Sequence, residues 1–148
     1  MDLYDCKPGV CEDLNLCYQF LDEIVSDLGM EKQSPPSIFR SDATRFPDKA
    51  GLSGWAPLIE SSVVIHTLSP KNYISIDVYC CKSFSLQMAK DVCRRFFEPK
   101  KIDEQYMERG LDYYKTDTNY HTLTVKKGSA KTPEVTINKK EPQLALIR

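Results

Sequence analysis

The segment that decides the fold is Tyr73-Ile74-Ser75-Ile76-Asp77-Val78-Tyr79-Cys80. Every second residue is apolar and shares one face, namely Ile74, Ile76, Val78 and Cys80. This period of two is typical of a half-buried β-strand. The residues just before it, Ser69-Pro70-Lys71-Asn72, favour a turn because proline presets φ and asparagine tolerates the left-handed conformation. The sequence therefore predicts a strand that follows a tight connection.

Two further apolar stretches precede this strand. They cover residues 55–59 and 63–67 and are separated by Glu60-Ser61-Ser62. Their lengths and the short polar break between them indicate an antiparallel hairpin. Residues 33–54 ahead of the hairpin contain Pro35-Pro36, Pro47 and Gly51, which predicts a loop with a short strand at Ile38 and Phe39.

Helical periodicity flanks these strands on both sides. Residues 13–28 have Asp13 as N-cap and Gly29 just past the end, and their apolar side chains recur at helical spacing: Leu14, Cys17, Leu21, Ile24, Val25 and Leu28. Residues 85–97 do the same and Pro99 closes them. The sequence therefore predicts an α+β two-layer sandwich, an antiparallel sheet with two helices on one face. We expect a second copy of the chain to cover the other face.

The chain divides by charge. Residues 115–148 hold seven Lys or Arg against three Asp or Glu, so they carry a net charge of +4 while residues 1–114 carry −5. We interpret residues 1–114 as one domain and residues 115–148 as a basic extension, with edge strands at residues 123–125 and 135–137. The extension is either a solvated tail or a segment attracted to the acidic body of a second subunit.

Composition excludes several classes of protein. With 148 residues, a net charge of −1 and a pI near 6.1, the chain lacks the basic surface of a nucleic-acid binder. No apolar run is long enough to span a bilayer and the first residues do not resemble a signal peptide, so we expect a cytoplasmic protein. The six cysteines contain no C-x-x-C pair, which predicts free thiols and no metal site.

The residues able to do chemistry fall on the predicted strands and their turns. They are Ser53, Glu60, Ser61, His66, Asp77, Cys80 and Cys81. The chain shows no phosphate-binding glycine loop, H-E-x-x-H motif or nucleophile elbow. Pattern alone leaves two interpretations open: a catalytic group, or a turn with ordinary core and surface side chains.

A longer stretch resembles a known family. Residues 52–67, with Glu60-Ser61 followed by His66-Thr67, are similar to the processing segment of prokaryotic S-adenosylmethionine decarboxylases. The strand Ile76-Asp77-Val78-Tyr79-Cys80-Cys81 resembles a second family block, whose cysteine falls on Cys81. Shorter similarities are Asp2-Leu3-Tyr4-Asp5-Cys6, Lys82-Ser83-Phe84 and Glu108-Arg109-Gly110-Leu111. The resemblance covers roughly residues 2–113.

This resemblance implies a self-made cofactor. Ser61 would attack the carbonyl of Glu60, and elimination of the resulting ester would cut the chain and leave a pyruvoyl group at position 61. Ser53 and His66 would assist the cleavage, and the ketone would form a Schiff base with the substrate amine. Cys81 would donate a proton to the product carbon. The family uses no pyridoxal phosphate and no metal.

The resemblance also implies a substrate and a partner. The family decarboxylates S-adenosylmethionine for spermidine and other polyamine biosynthesis, and its active unit is typically a homodimer of processed two-chain protomers. Glu60, as a new carboxyl terminus, would help to bind the cationic substrate. Phe46, Phe39 or Trp55 would offer an aromatic surface, with Phe46 as our chosen candidate. Cys80 would belong to the core.

Several positions depart from the family pattern. After His66-Thr67 the family usually has an aromatic residue and a Pro-Glu pair, whereas this chain has Leu68-Ser69-Pro70. Ser62 stands where many members have histidine, and most of the family's first strand lies outside this sequence. The self-processing residues are intact, so three hypotheses stay open: an S-adenosylmethionine decarboxylase, a pyruvoyl-dependent decarboxylase of arginine or ornithine, and an unprocessed, non-catalytic homologue.

Overall fold

The structure is a computed structural model that describes residues 1–108 and the backbone of two short strands beyond them. In chain order the elements of the first part are β1 (Asp2–Tyr4), α1 (Leu14–Asp27), β2 (Ser37–Arg40), β3 (Leu52–Leu58), β4 (Ser61–Leu68), β5 (Tyr73–Tyr79), α2 (Leu86–Phe97) and β6 (Lys101–Asp103). The two later strands are β7 (Thr124–Val125) and β8 (Val135–Thr136). The chain divides into two units, Met1–Gln105 and Tyr106–Arg148.

The first unit is built on one six-stranded sheet. Its strand order is β2-β3-β4-β5-β1-β6, and every neighbouring pair is antiparallel. The two helices pack together on one face, where their buried side chains join those of alternate strand residues in a single core. The predicted α+β sandwich with both helices on one face is confirmed. No helix among the described residues is long and apolar enough to cross a membrane.

Strand alternation gives the sheet two distinct faces. Ile74 and Ile76 of β5 are fully buried against the helices, as the sequence predicts. Val63, Ile65 and Thr67 do the same on β4. The intervening residues point to the opposite side of the sheet, away from the helices, which we call the far face. The far face carries Ser53 and Trp55 of β3, Ser62, Val64 and His66 of β4, and Ser75, Asp77 and Tyr79 of β5.

The helix ends agree with the capping signals in the sequence, whereas two residues of α1 differ from the buried face expected from its periodicity. The Asp13 side chain accepts from the backbone N–H of Leu16, and the Ser85 side chain accepts from that of Met88, so both helices carry side-chain N-caps. Phe20, which the periodic pattern did not single out, is fully buried and lies edge-on to Phe96. Leu14 was expected on the buried face but is exposed, because it occupies the first turn, before α1 reaches the core.

A buried hydroxyl ties β4 to its neighbours. Thr67 Oγ1 accepts the backbone N–H of Leu52 at 2.7 Å and donates to the carbonyl of Cys11 at 2.6 Å. Gly51 approaches this residue so closely that a Cβ there would lie 2.1 Å from the Thr67 carbonyl oxygen. Residues 52–54 were expected in a loop but belong to β3. Their close packing on Thr67 extends the strand pairing beyond the apolar stretch at residues 55–59.

The second unit contains the antiparallel pair β7 and β8, joined by Thr124 opposite Thr136 and Val125 opposite Val135. Strands were expected at residues 123–125 and 135–137, and the two short strands fall within those ranges. The predicted domain boundary at residue 114 and the rest of the basic extension lie outside the described residues.

Candidate active site

Ser61 is the first residue of β4, directly after a tight hairpin turn. Leu58 pairs with Ser61, so only Ile59 and Glu60 connect β3 to β4. Glu60 has a φ of 56°, in the left-handed region that residues other than glycine adopt at a cost of about 1–2 kcal/mol. Glu60 is exposed and Ser61 half-buried. The peptide bond between them therefore lies at a strained and accessible tip of the sheet.

Cys81 faces this tip from the chain segment that follows β5. The backbone N–H of Cys81 donates to Ser61 Oγ at 3.3 Å, and the two side chains meet with Oγ and Sγ 3.8 Å apart. Ser61 Oγ is thus held by one backbone donor beside a half-buried thiol. This arrangement places a hydroxyl and a thiol beside the same peptide bond.

Cys80 does not lie in the core, contrary to the sequence-based expectation. It is half-buried, and its Sγ accepts the backbone N–H of Lys82 at 3.4 Å. The reason is that β5 ends at Tyr79, so the alternation that would have turned Cys80 toward the helices stops one residue early.

Ser53 and His66 form a second polar pair, on the far face. They stand directly opposite each other on β3 and β4, with His66 Nδ1 and Ser53 Oγ 3.0 Å apart. His66 is exposed and Ser53 half-buried. The pair can hold or move a proton between a hydroxyl and an imidazole.

One chain does not bring the two polar pairs together. Ser61 and His66 are five residues apart along β4, which corresponds to about 17 Å of strand. Ser61 also has the parity of Val63 and Ile65, which turn toward the helices, whereas His66 lies on the far face. His66 therefore does not reach its own Ser61 within one chain, although the resemblance assigns both residues to the same cleavage.

Three aromatic side chains were candidates for binding a substrate. Phe46 is exposed just before a 3₁₀ turn, with the Arg45 guanidinium 5.0 Å from its ring centre. Phe39 is 69% exposed and lies directly opposite Ser53, in line with His66. Trp55 is 49% exposed on the next row of the far face. Register thus places Phe39 directly beside Ser53, which sequence spacing alone does not reveal.

The remaining cysteines are structural. Burial raises the pKa of Cys6, Cys17 and Cys93 to about 12 and that of Cys11 to about 11. The thiols of Cys6, Cys11 and Cys17 donate to backbone carbonyls of Leu3, Tyr73 and Val10. No cluster of three or more His, Cys, Asp or Glu within the described part of the chain could hold a metal ion.

Comparison with known proteins identifies the family and the fold of the chain. Residues 1–110 match the family model described as S-adenosylmethionine decarboxylase. Among solved structures, the chain resembles the crystal structure of the adenosylmethionine decarboxylase from Aquifex aeolicus VF5, with a TM-score of 0.61 and 24% identity over 74% of this chain and 86% of that one. At 24% identity, this structural similarity shows only that the two chains share a fold. No curated protein matches the chain.

Thiol accessibility makes the site testable without any assay of activity. The thiolate is the form of cysteine that reacts with an alkylating agent. Because the pKa of each buried cysteine is raised to about 11 or 12, less than about 1% of each of these thiols is deprotonated at pH 8.5. Brief alkylation of the native protein at that pH should therefore modify Cys80 and Cys81 and leave the other four intact. Intact mass and peptide mapping measure this, with the urea-unfolded protein as control. Modification of Cys6, Cys11, Cys17 or Cys93 before unfolding would contradict the packing described.

Proposed function

Because the chain belongs to the S-adenosylmethionine decarboxylase family, we propose that it is a pyruvoyl-dependent decarboxylase that makes its own cofactor by cutting itself between Glu60 and Ser61. The observation that carries this proposal is the contact of Ser61 with Cys81 at the tip of the β3–β4 hairpin. It joins a nucleophile, a backbone donor and a thiol at a single exposed turn.

The cleavage is an acyl shift followed by an elimination. Ser61 Oγ attacks the carbonyl carbon of Glu60, and the peptide C–N bond is exchanged for an ester C–O bond. A base then removes the Cα proton of residue 61, and the Glu60 carboxylate leaves with Oγ and the electron pair of the Cβ–Oγ bond. Water hydrolyses the resulting enamine, through its imine tautomer, to a keto acyl group and releases ammonia. The products are residues 1–60 and a chain that begins with the pyruvoyl group.

Backbone geometry at the turn favours this reaction. Glu60 holds a left-handed φ of 56° only while the hairpin is intact. Cutting after Glu60 releases that conformation, and the release contributes on the order of 1 kcal/mol to the cleavage. The Cys81 N–H, 3.3 Å from Ser61 Oγ, orients the hydroxyl before it attacks.

The residues at the tip also fit the group that the cleavage would produce. A pyruvoyl group at position 61 would supply a carbonyl for condensation with a substrate amine and a sink for the electron pair left by CO₂. Cys81 is the proton donor for the product carbon, because its thiol lies 3.8 Å from Ser61 Oγ and therefore beside residue 61, whose Cα becomes the keto carbon. Glu60, freed as a carboxyl terminus beside it, attracts a cationic substrate.

The separation of the two polar pairs supports a homodimer as the active unit. The Ser53–His66 pair and the Ser61–Cys81 pair lie about 17 Å apart along the strand. Two sheets packed through their far faces approach to about 10 Å. In such a dimer the Ser53–His66 pair of one copy serves the Glu60–Ser61 bond of the other. The far face, with exposed Trp55 and Phe39, then becomes buried.

S-adenosylmethionine is the proposed substrate, with formation of its decarboxylated product for polyamine synthesis. Phe39 or Phe46 supplies a ring for the adenine and the sulfonium charge. One observation favours a smaller substrate: Leu68 ends β4, and Ser69–Lys71 form a 3₁₀ turn where the family usually has an aromatic residue and a Pro-Glu pair. Arginine or ornithine is therefore the second candidate.

Self-cleavage is tested by the mass of the purified protein under denaturing conditions. We expect two fragments that meet at Glu60 and Ser61, the second with the mass of a pyruvoyl end. Ser61→Ala should give a single chain of 17.0 kDa. Ser62→Ala is the matched control, since it removes the neighbouring hydroxyl and should leave cleavage intact. A wild-type chain that stays whole would overturn the proposal and favour a non-catalytic homologue.

Decarboxylation is tested by release of labelled CO₂ from carboxyl-labelled S-adenosylmethionine, arginine and ornithine. We expect release from S-adenosylmethionine alone. Cys81→Ala should reduce the rate by about 10²–10⁴-fold, the usual contribution of a general acid, without preventing cleavage. Cys80→Ala, its neighbour outside the contact with Ser61, should retain the rate. Release from arginine or ornithine alone would replace the proposed substrate with the second candidate.

A further inference from the structure

A polar row crosses the middle of the far face and centres on His66. On one side His66 stands opposite Ser53, and on the other side it stands opposite Ser75 of β5. Ser75 in turn stands opposite Asp2 of β1. Side chains directly opposite each other on antiparallel strands have Cβ atoms about 4.5–5.5 Å apart. Ser75 therefore brings a second hydroxyl within reach of His66 from β5, whereas Ser53 lies on β3.

Tyr73 connects this row to a fixed negative charge. It lies on the same face of β5 as Ser75, and its hydroxyl donates to Asp2 Oδ1 at 2.5 Å. That donation is the main reason that the pKa of Tyr73 is raised, and an interaction with the Ser75 hydroxyl works against it. Since the Tyr73 proton points at Asp2, its oxygen is left to accept from Ser75.

We infer that Asp2, acting through Tyr73 and Ser75, fixes the tautomer of His66. The Tyr73–Asp2 bond is formed in the structure. The other two links of this hydrogen-bond chain are inferred: His66 Nε2–H donates to Ser75, and Ser75 donates to Tyr73. Nδ1 is then the unprotonated nitrogen and accepts from Ser53 Oγ. Asp2, Tyr73 and Ser75 are positioning residues, since they act on the reaction through the imidazole.

This inference rests on the proposed role of His66 in the cleavage and deepens it. An imidazole that must take up a proton is useful only if its lone pair points to the correct side. The carboxylate at the far end polarises each hydroxyl in the chain, which favours one direction of donation. In the proposed dimer the row is buried, so its groups gain from having mutual partners.

Asp77 offers a competing arrangement. It lies on the far face two residues after Ser75 and is therefore a diagonal neighbour of His66. A direct bond from Nε2 to the Asp77 carboxylate would fix the same tautomer without Tyr73. The experiment must therefore distinguish the Asp2 carboxylate from the Asp77 carboxylate, and the variants Asp2→Asn and Asp77→Asn do so.

The test is the ¹⁵N spectrum of the imidazole in the full-length protein. The chain has two histidines, so His121→Asn leaves His66 as the single imidazole. At a pH where the ring is neutral, we expect well-separated signals from a protonated Nε2 and an unprotonated Nδ1. Tyr73→Phe and Ser75→Ala should move both signals toward those of the urea-unfolded chain, and Asp2→Asn should move them part of the way.

Tyr4→Phe is the matched control, because the Tyr4 ring lies 5.4 Å from the Tyr73 ring at a tilt of 55° and on the same face, but outside the hydrogen-bond chain. Its spectrum should equal that of the parent. The Tyr73→Phe and Ser75→Ala changes should also slow self-cleavage by about 10-fold or more, as part of the contribution of a correctly oriented base.

Unchanged signals in Tyr73→Phe would overturn the inference, and so would a change that appears in Asp77→Asn but not in Tyr73→Phe. Both results leave the proposed function standing if the chain still cleaves. An uncleaved wild-type chain would remove the proposed function, whereas the spectra would still report whether Tyr73 and Asp2 orient His66.

Discussion

The antiparallel register of β3, β4 and β5 is the constraint on which the rest of the structure depends. It sets Ser53 opposite His66, His66 opposite Ser75, and Leu58 opposite Ser61. A slip of one residue would turn each of these side chains to the other face. The Thr67 hydroxyl, bonded to Leu52 and Cys11, and the close approach of Gly51 to Thr67 hold the register from the core side.

This register places the polar side chains of the site in two separate regions of the sheet. The hairpin tip carries the bond proposed to be cut and the thiol beside it, and the far face carries the imidazole and its hydroxyl partner Ser53. Neither place is sufficient for the proposed cleavage in one chain. The same geometry that separates them along β4 makes them complementary in two copies, which gives the expected dimer a chemical role beyond covering apolar surface.

Periodicity and end signals predicted much of the fold. The alternation in β5, the N-cap at Asp13 and the hairpin around Glu60 follow from local rules that depend on neighbouring residues alone. The burial of Phe20 was missed because it depends on contact with Phe96 and Phe97 of a distant helix.

The site was predicted in its parts but not in its arrangement. Resemblance pointed to Ser61, Cys81, Ser53 and His66, and the contact of Ser61 with Cys81 agrees with their proposed roles. Sequence spacing could not show that His66 faces away from Ser61, because strand parity must be counted from the actual ladder. The row through Ser75, Tyr73 and Asp2 was also invisible, since it joins strands more than 70 residues apart in the chain.

The most direct test of a site assembled from two copies is complementation between two defective chains. A tagged His66→Ala chain retains Ser61 and Cys81, and a Ser61→Ala chain retains Ser53 and His66. We predict that the tagged chain stays whole when expressed alone and is cut between Glu60 and Ser61 when the two are expressed together. Cleavage of the His66→Ala chain on its own at the wild-type rate would contradict the account, as would a tagged chain that stays whole in the mixture.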